Sequence, residues 1–97
     1  MFDIKPNMRV KHFKREIADI KNNPMIYLYE IIGVGIHSET GEKLVVYKSL
    51  YASADNPIGQ IYCRPYDMFF SKVDKEKYPN VKQEYRFEPV EKTLYNN

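Results

Sequence analysis

The stretch HSETGEKLVVYKSLY, residues 37–51, decides how this chain folds. From Lys43 onward it is rich in β-branched and aromatic residues, and the preceding YLYEIIGVGI (27–36) has the same texture. Such runs fit a pleated, half-buried surface, and the ETG between them is a turn signal. Together they read as the two long strands of a β-hairpin.

Two turns compete at the tip. A two-residue turn at Thr40-Gly41 would set Glu39 opposite Glu42, and like charges across a pair are destabilising. A three-residue loop, Glu39-Thr40-Gly41, places Gly41 in the left-handed conformation with a bulge and pairs Ser38 with Glu42. We adopt the second. Its register sets Ile36 against Leu44 and Val34 against Val46 on one apolar face. Gly33 then lies opposite Tyr47 and Gly35 opposite Val45 on the other face, where a tyrosine ring can cover the gap a glycine leaves. GVGIHSETG is therefore no phosphate cradle, since no helix start follows its glycines.

Outward from the hairpin, ASADNPIG (52–59) has the composition of a loop, and IYCR (61–64) reads as a third strand stopped by Pro65. PYDMFFSKV fits one helical turn with proline at its first position. VKQEYRFEPV alternates as a closing strand, and the tail EKTLYNN is expected to fray. Toward the N-terminus, Val10, Phe13, Ile17 and Ile20 recur at helical spacing. The competing reading keeps only Val10–Lys14 as a strand and treats the rest as a loop with a helical turn; the residues alone favour the helix slightly. Several short strands, one long hairpin and a helical turn before the last strand predict a mainly β, small antiparallel SH3-like barrel, with an OB-like barrel as the alternative. The chain reads as a single domain over 1–97, its core at about 8–90.

Composition narrows the functional classes. Apolar residues make up 43% and charged residues 29%, which suits a globular rather than a disordered chain. Net charge is +2, but residues 1–21 carry six Lys/Arg against three Asp/Glu. This basic start (Lys5, Arg9, Lys11, Lys14, Arg15, Lys21) offers a weak contact for nucleic acid, short of the broad basic face of a committed binder. The lone Cys63 rules out an internal disulfide and suits a reducing cytosol, where we place the protein. The apolar run Tyr27–Ile36 is broken by Glu30 and is too short to span a membrane. Two histidines 25 residues apart with one cysteine make no recognisable metal site, and no cofactor is implied.

The polar tip and the strand ends hold the candidate chemistry. His37, Ser38, Glu39, Thr40 and Glu42 are residues that turns use for local hydrogen bonds; they are also a candidate ligand clamp, to which Arg64 and Tyr66 are added. Arg64 is suited to gripping a carboxylate or phosphate through two parallel bonds, or to an internal ion pair with Glu39 or Glu42. Cys63, alternating with a core-facing Ile61, is expected to be a buried structural thiol. The tyrosines either complete the core or present an aromatic platform for a peptide or for stacked bases.

The run HSETGEKLVVYKSLY, with KHFK upstream and CRPYDMF and YRF downstream, resembles a small bacterial family, domain of unknown function family 1653. Its members show HFKG, an HSETGE-like turn, VVY, LY, RP-x-x-MF and RF in that order. The resemblance spans roughly residues 10–87 and implies that Val10–Lys14 is a strand, against the helical stripe; we adopt the strand and move any short helix into the 15–22 insertion. It implies no activity. This chain departs from the pattern where HFK runs into REIADIKNNPMI, and where Tyr62 replaces a tryptophan before the RP motif. The expectation is a non-enzymatic binding module, with no catalytic residue, whose unknown small ligand or peptide contacts the tip, Arg64 and nearby tyrosines. The alternatives are a small enzyme using His37 with Glu39 or Glu42, a nucleic-acid contact through the basic start, and a homodimer along a barrel edge; no membrane partner is expected.

Overall fold

In a computed structural model that describes residues 2–90, the two long extended segments fold back on each other as β2 (Leu28–Ile36) and β3 (Lys43–Ser49). The tail EKTLYNN lies outside the described residues. Gly41 is left-handed at φ 76°, as the turn requires. The loop, however, has four residues rather than three. His37 N–H donates to the Glu42 carbonyl and Gly41 N–H to the His37 carbonyl, both at 2.8 Å, so His37 closes the ladder instead of Ser38.

The register moves with it. Ile36 faces Lys43, Gly35 faces Leu44, Val34 faces Val45 and Gly33 faces Val46, one residue from the expected pairing. An irregularity between Ile31 and Gly33 then shifts the ladder again, so that Ile31 meets Tyr47. Paired residues share a face and alternate residues along a strand do too. The inner face is thus built on Tyr29, Ile31, Val45 and Tyr47; Val34, paired with Val45, and Ile36 continue that face toward the tip, where they are exposed. Tyr47 covers neither glycine: a Cβ at Gly33 would enter open space, and one at Gly35 would meet Val46.

Strand β4 (Ile61–Pro65) pairs with β3, and Pro65 caps α1 (Tyr66–Phe69) rather than opening it. Cys63 is exposed and Ile61 is 56% exposed, against the expected buried thiol. The alternation was sound but the face was inverted: Tyr47 pairs with Tyr62 and Val45 with Arg64, so these two turn inward.

Strand β1 (Arg9–His12) pairs with β2, in line with the strand reading, and the segment beyond it forms a 3-10 helix over Phe13–Ile17 instead of a helix within 15–22. The helical stripe fails because Val10 is buried in the sheet while Ile17 is 62% exposed. Arg15 ties the insertion down by donating to the Pro24 and Ile26 carbonyls at 2.9 and 2.8 Å. The closing strand β5 is only Phe87–Pro89, paired with β1. Ahead of it, Glu16 accepts the backbone N–H groups of Lys82 and Gln83, and the buried Gln83 amide donates to the Lys11, Tyr85 and Arg86 carbonyls. Those bonds replace ladder pairing over Val81–Gln83.

The result is one five-stranded antiparallel sheet in the order β4-β3-β2-β1-β5. Its core centres on Val10, Ile31, Val45, Phe69 and Phe87, with the last two rings stacked at 4.2 Å. A smaller cluster of Phe13, Val73 and Val81 packs with Tyr78 beside it. Among the described residues, no helix is long and apolar enough to cross a membrane.

Candidate functional site

The register carries His12, Tyr29, Tyr47, Tyr62, Arg64 and Phe87 onto the same face of the sheet. Phe87 is the hub. His12 meets it edge-on at 5.0 Å, Tyr47 at 5.4 Å, and the Arg64 guanidinium lies over it at 5.6 Å. Arg64 Nε donates to the Tyr47 hydroxyl at 3.1 Å. Tyr62 stacks on Tyr47 at 5.7 Å, and the hydroxyls of Tyr29 and Tyr51 bond at 2.7 Å. Tyr27 closes the group, 5.7 Å from both His12 and Tyr51.

The electrostatics are those of a basic, partly dried surface. Burial, with the charges of Arg86, Arg64 and Lys14, pushes the His12 imidazole down from 6.5 to about 3. Its Nδ1 accepts the Lys14 backbone N–H at 3.1 Å, which puts the neutral ring's proton on Nε2. Burial, then the bond to Tyr51, pushes the Tyr29 hydroxyl well above its ordinary range, and burial raises Tyr51 too. Arg86 is lowered by burial and by Arg64, yet an arginine stays charged at any physiological pH. Its Nε donates to Ser71 Oγ at 3.1 Å. Among the described residues, neither arginine has a carboxylate partner; the ion pair present is Lys72 with Glu84, at 3.5 Å on the surface. Arg64 therefore does not make the expected bridge to Glu39 or Glu42.

The hairpin tip is a separate place. His37 Nδ1 accepts the backbone N–H groups of Glu39 and Thr40 at 3.2 and 3.3 Å, and Thr40 Oγ1 accepts that of Glu42 at 3.2 Å. Ser38, Glu39 and Glu42 are exposed beside them. Tyr66 is half-buried against Phe70, with Lys43 Nζ 5.6 Å from its ring centre. Arg64 pairs with Val45 and reaches to Tyr47, two residues further from the tip, so its side chain runs away from His37. Among the described residues, no group of three His, Cys, Asp or Glu is placed to hold a metal ion.

The model of a family described as "Protein of unknown function (DUF1653)" matches residues 8–89, most of the chain. The chain belongs to that family. No curated protein and no solved structure matches it.

The segments that carry the resemblance lie far apart in sequence and meet around Phe87. HFK supplies His12, VVY supplies Tyr47, RP-x-x-MF supplies Arg64 and Phe69, and RF supplies Phe87 itself. The LY tyrosine, Tyr51, joins through Tyr27 and Tyr29, and Arg86 is held by Ser71. Sequence reasoning singled out Arg64, named the strand tyrosines, Tyr47 and Tyr51 among them, as a candidate platform beside it, and missed His12 and Arg86 as companions. The available signal was the set of short motifs outside the hairpin, each ending in an aromatic or basic residue. HSETGE alone stands apart, as the turn that sets the hairpin.

Proposed function

We propose that this chain is a ligand-binding module with an SH3-like barrel architecture. Its ligand is an anionic molecule bearing a planar ring, held against Tyr27, Tyr51 and Tyr62 and gripped by Arg64. The strand order β4-β3-β2-β1-β5, with the last strand returning beside the first, supports the barrel.

One observation carries the ligand class: Arg64 is held through Nε by Tyr47 and from below by Phe87, with no carboxylate partner among the described residues. An arginine anchored that way presents its terminal nitrogens to an outside carboxylate or phosphate in a fixed orientation. The adjoining tyrosines are half-buried, so each keeps surface on which a ring can stack. The binding reading is favoured over a His37 enzyme because both imidazoles commit Nδ1 to backbone N–H groups. Tip and arginine are thus assigned different tasks, the tip shaping the hairpin and the arginine meeting the ligand.

A titration followed by amide and arginine Nε–H resonances tests this, with uridine monophosphate, benzoate and inorganic phosphate as probes. Ring-bearing anions are expected to shift Tyr51, Tyr62 and Arg64, and Arg64→Ala to weaken them at least about tenfold, as loss of a charge-assisted pair implies. Shifts confined to 37–42, or none at millimolar probe, would remove the site.

A further inference from the structure

Two grooves adjoin the tyrosine face, each of about 290 Å³. One lies between the 3-10 helix and the 72–78 turn, where Lys14, Lys72, Lys77 and Arg86 line it with Phe13 and Tyr78. The other is bordered by Lys14, Ile17, Ile26 and Tyr27. Lys14 is common to both. Tyr27 joins the second groove to Tyr51, their ring centres 5.7 Å apart. Rings and grooves thus follow one another from Tyr51 through Tyr27 and Lys14 to Tyr78.

The first groove is predominantly basic, whereas in the second Asp19 stands beside Lys14 and accepts from the Asn22 backbone N–H and side-chain amide. Asp74 is the one acid lining the first groove, and its Oδ1 accepts the backbone N–H groups of Glu76 and Lys77 at 3.0 and 3.3 Å. Lys72 pairs with the exposed Glu84 and lies 6.0 Å from the Tyr85 ring centre, and such surface pairs hold weakly. At the far end Lys77 Nζ sits 5.6 Å from the Tyr78 ring centre, while Phe13 braces that ring edge-on at 4.9 Å. Aromatic rings thus stand at both ends of a basic stretch.

We infer that the tyrosine face and the Lys14–Lys77–Arg86 groove form one track for single-stranded nucleic acid. Bases stack at the tyrosines, and the cations between them neutralise the phosphates that join those bases. This rests on the ligand-binding reading and adds that the anion is a polymer. Rings alternating with cations are what a strand of stacked bases on a charged backbone requires, whereas a single nucleotide fills only one end. The basic start contributes through Lys14; Arg15 is engaged with backbone carbonyls, and Lys11 alternates with the inward-facing Val10 and His12.

Fluorescence anisotropy with labelled oligouridylates of increasing length, on the full chain, tests the track. Affinity is expected to rise with length up to a site on the order of four nucleotides or more. It should fall roughly twentyfold between 50 and 200 mM salt if about three phosphates are neutralised at a slope near 0.7 each. The double variant Lys14→Glu, Lys77→Glu changes exposed ends of side chains whose backbone groups do the capping. It should keep its urea midpoint and its uridine monophosphate shifts at Tyr62 and Arg64, and lose at least about tenfold in oligonucleotide affinity. Three results would overturn the track while leaving the tyrosine site standing: no gain with length, no effect of the charge reversals, or a polyglutamate peptide bound as tightly as the oligonucleotide. Failure of uridine monophosphate, benzoate and phosphate alike would remove both.

Discussion

Arg64 and Tyr47 stand on adjacent strands of one face, and the arginine Nε donates to the tyrosine hydroxyl at 3.1 Å. The bond aims the guanidinium along the sheet, over Phe87 and away from the hairpin tip. Tyr47→Phe keeps the ring and its contacts but leaves Nε without this acceptor. The expected cost is about 1 kcal/mol in urea unfolding, with a larger relative loss in ring-anion affinity because the fork is no longer aimed. An unchanged Arg64 Nε–H resonance in the variant would contradict the arrangement.

His12 makes the fold sensitive to acid. Its pKa is 6.5 when unfolded and about 3 in the native chain, so between those values the unfolded state binds the extra proton. Stability is therefore full above about pH 7 and declines as pH falls, at about 1.4 kcal/mol per unit. His12→Asn retains a capping acceptor for the Lys14 N–H and lacks the titrating ring. Urea midpoints between pH 7 and 5, above the main carboxylate range, should fall for the parent chain and stay nearly flat for the variant.

Phe87 is the central packing residue, 1% exposed and stacked on Phe69 at an interplanar angle of 3°. Phe87→Ala should cost about 3–5 kcal/mol through lost burial and the cavity left behind. For a domain with roughly 5–15 kcal/mol in hand, that is a large fraction of its stability. Phe87→Leu, which refills much of the space, should cost clearly less; equal midpoints for the two would show that the site collapses freely.

The glycines separate conformation from space. A Cβ meets nothing within 4 Å at either Gly33 or Gly41, yet only Gly41 has positive φ. Gly41→Ala should therefore cost about 1 kcal/mol, from backbone strain alone. Gly33→Ala should be neutral or stabilising by up to about 0.5 kcal/mol, since alanine has less freedom to lose. Thermal midpoints of the pair decide it.

Cys63 lies on the outward side of edge strand β4. Ellman's reagent should label it in the folded chain about as fast as in urea, whereas a buried thiol would react only on unfolding.

Local chemistry determined the elements. Runs of β-branched and aromatic residues made the hairpin, Gly41 made its turn, and Pro65 ended β4, since these effects act within a few residues. Alternation likewise showed that Ile61 and Cys63 oppose Tyr62 and Arg64. Which pair faces inward was decided elsewhere. The four-residue tip and the irregularity near Ile32 set the register, and a one-residue slip sends a strand's side chains to the other face. The convergence of His12, Arg64, Tyr29 and Tyr47 around Phe87 was likewise a tertiary outcome. It depends on β5 returning to pair with β1, a contact between ends of the chain that no local preference encodes.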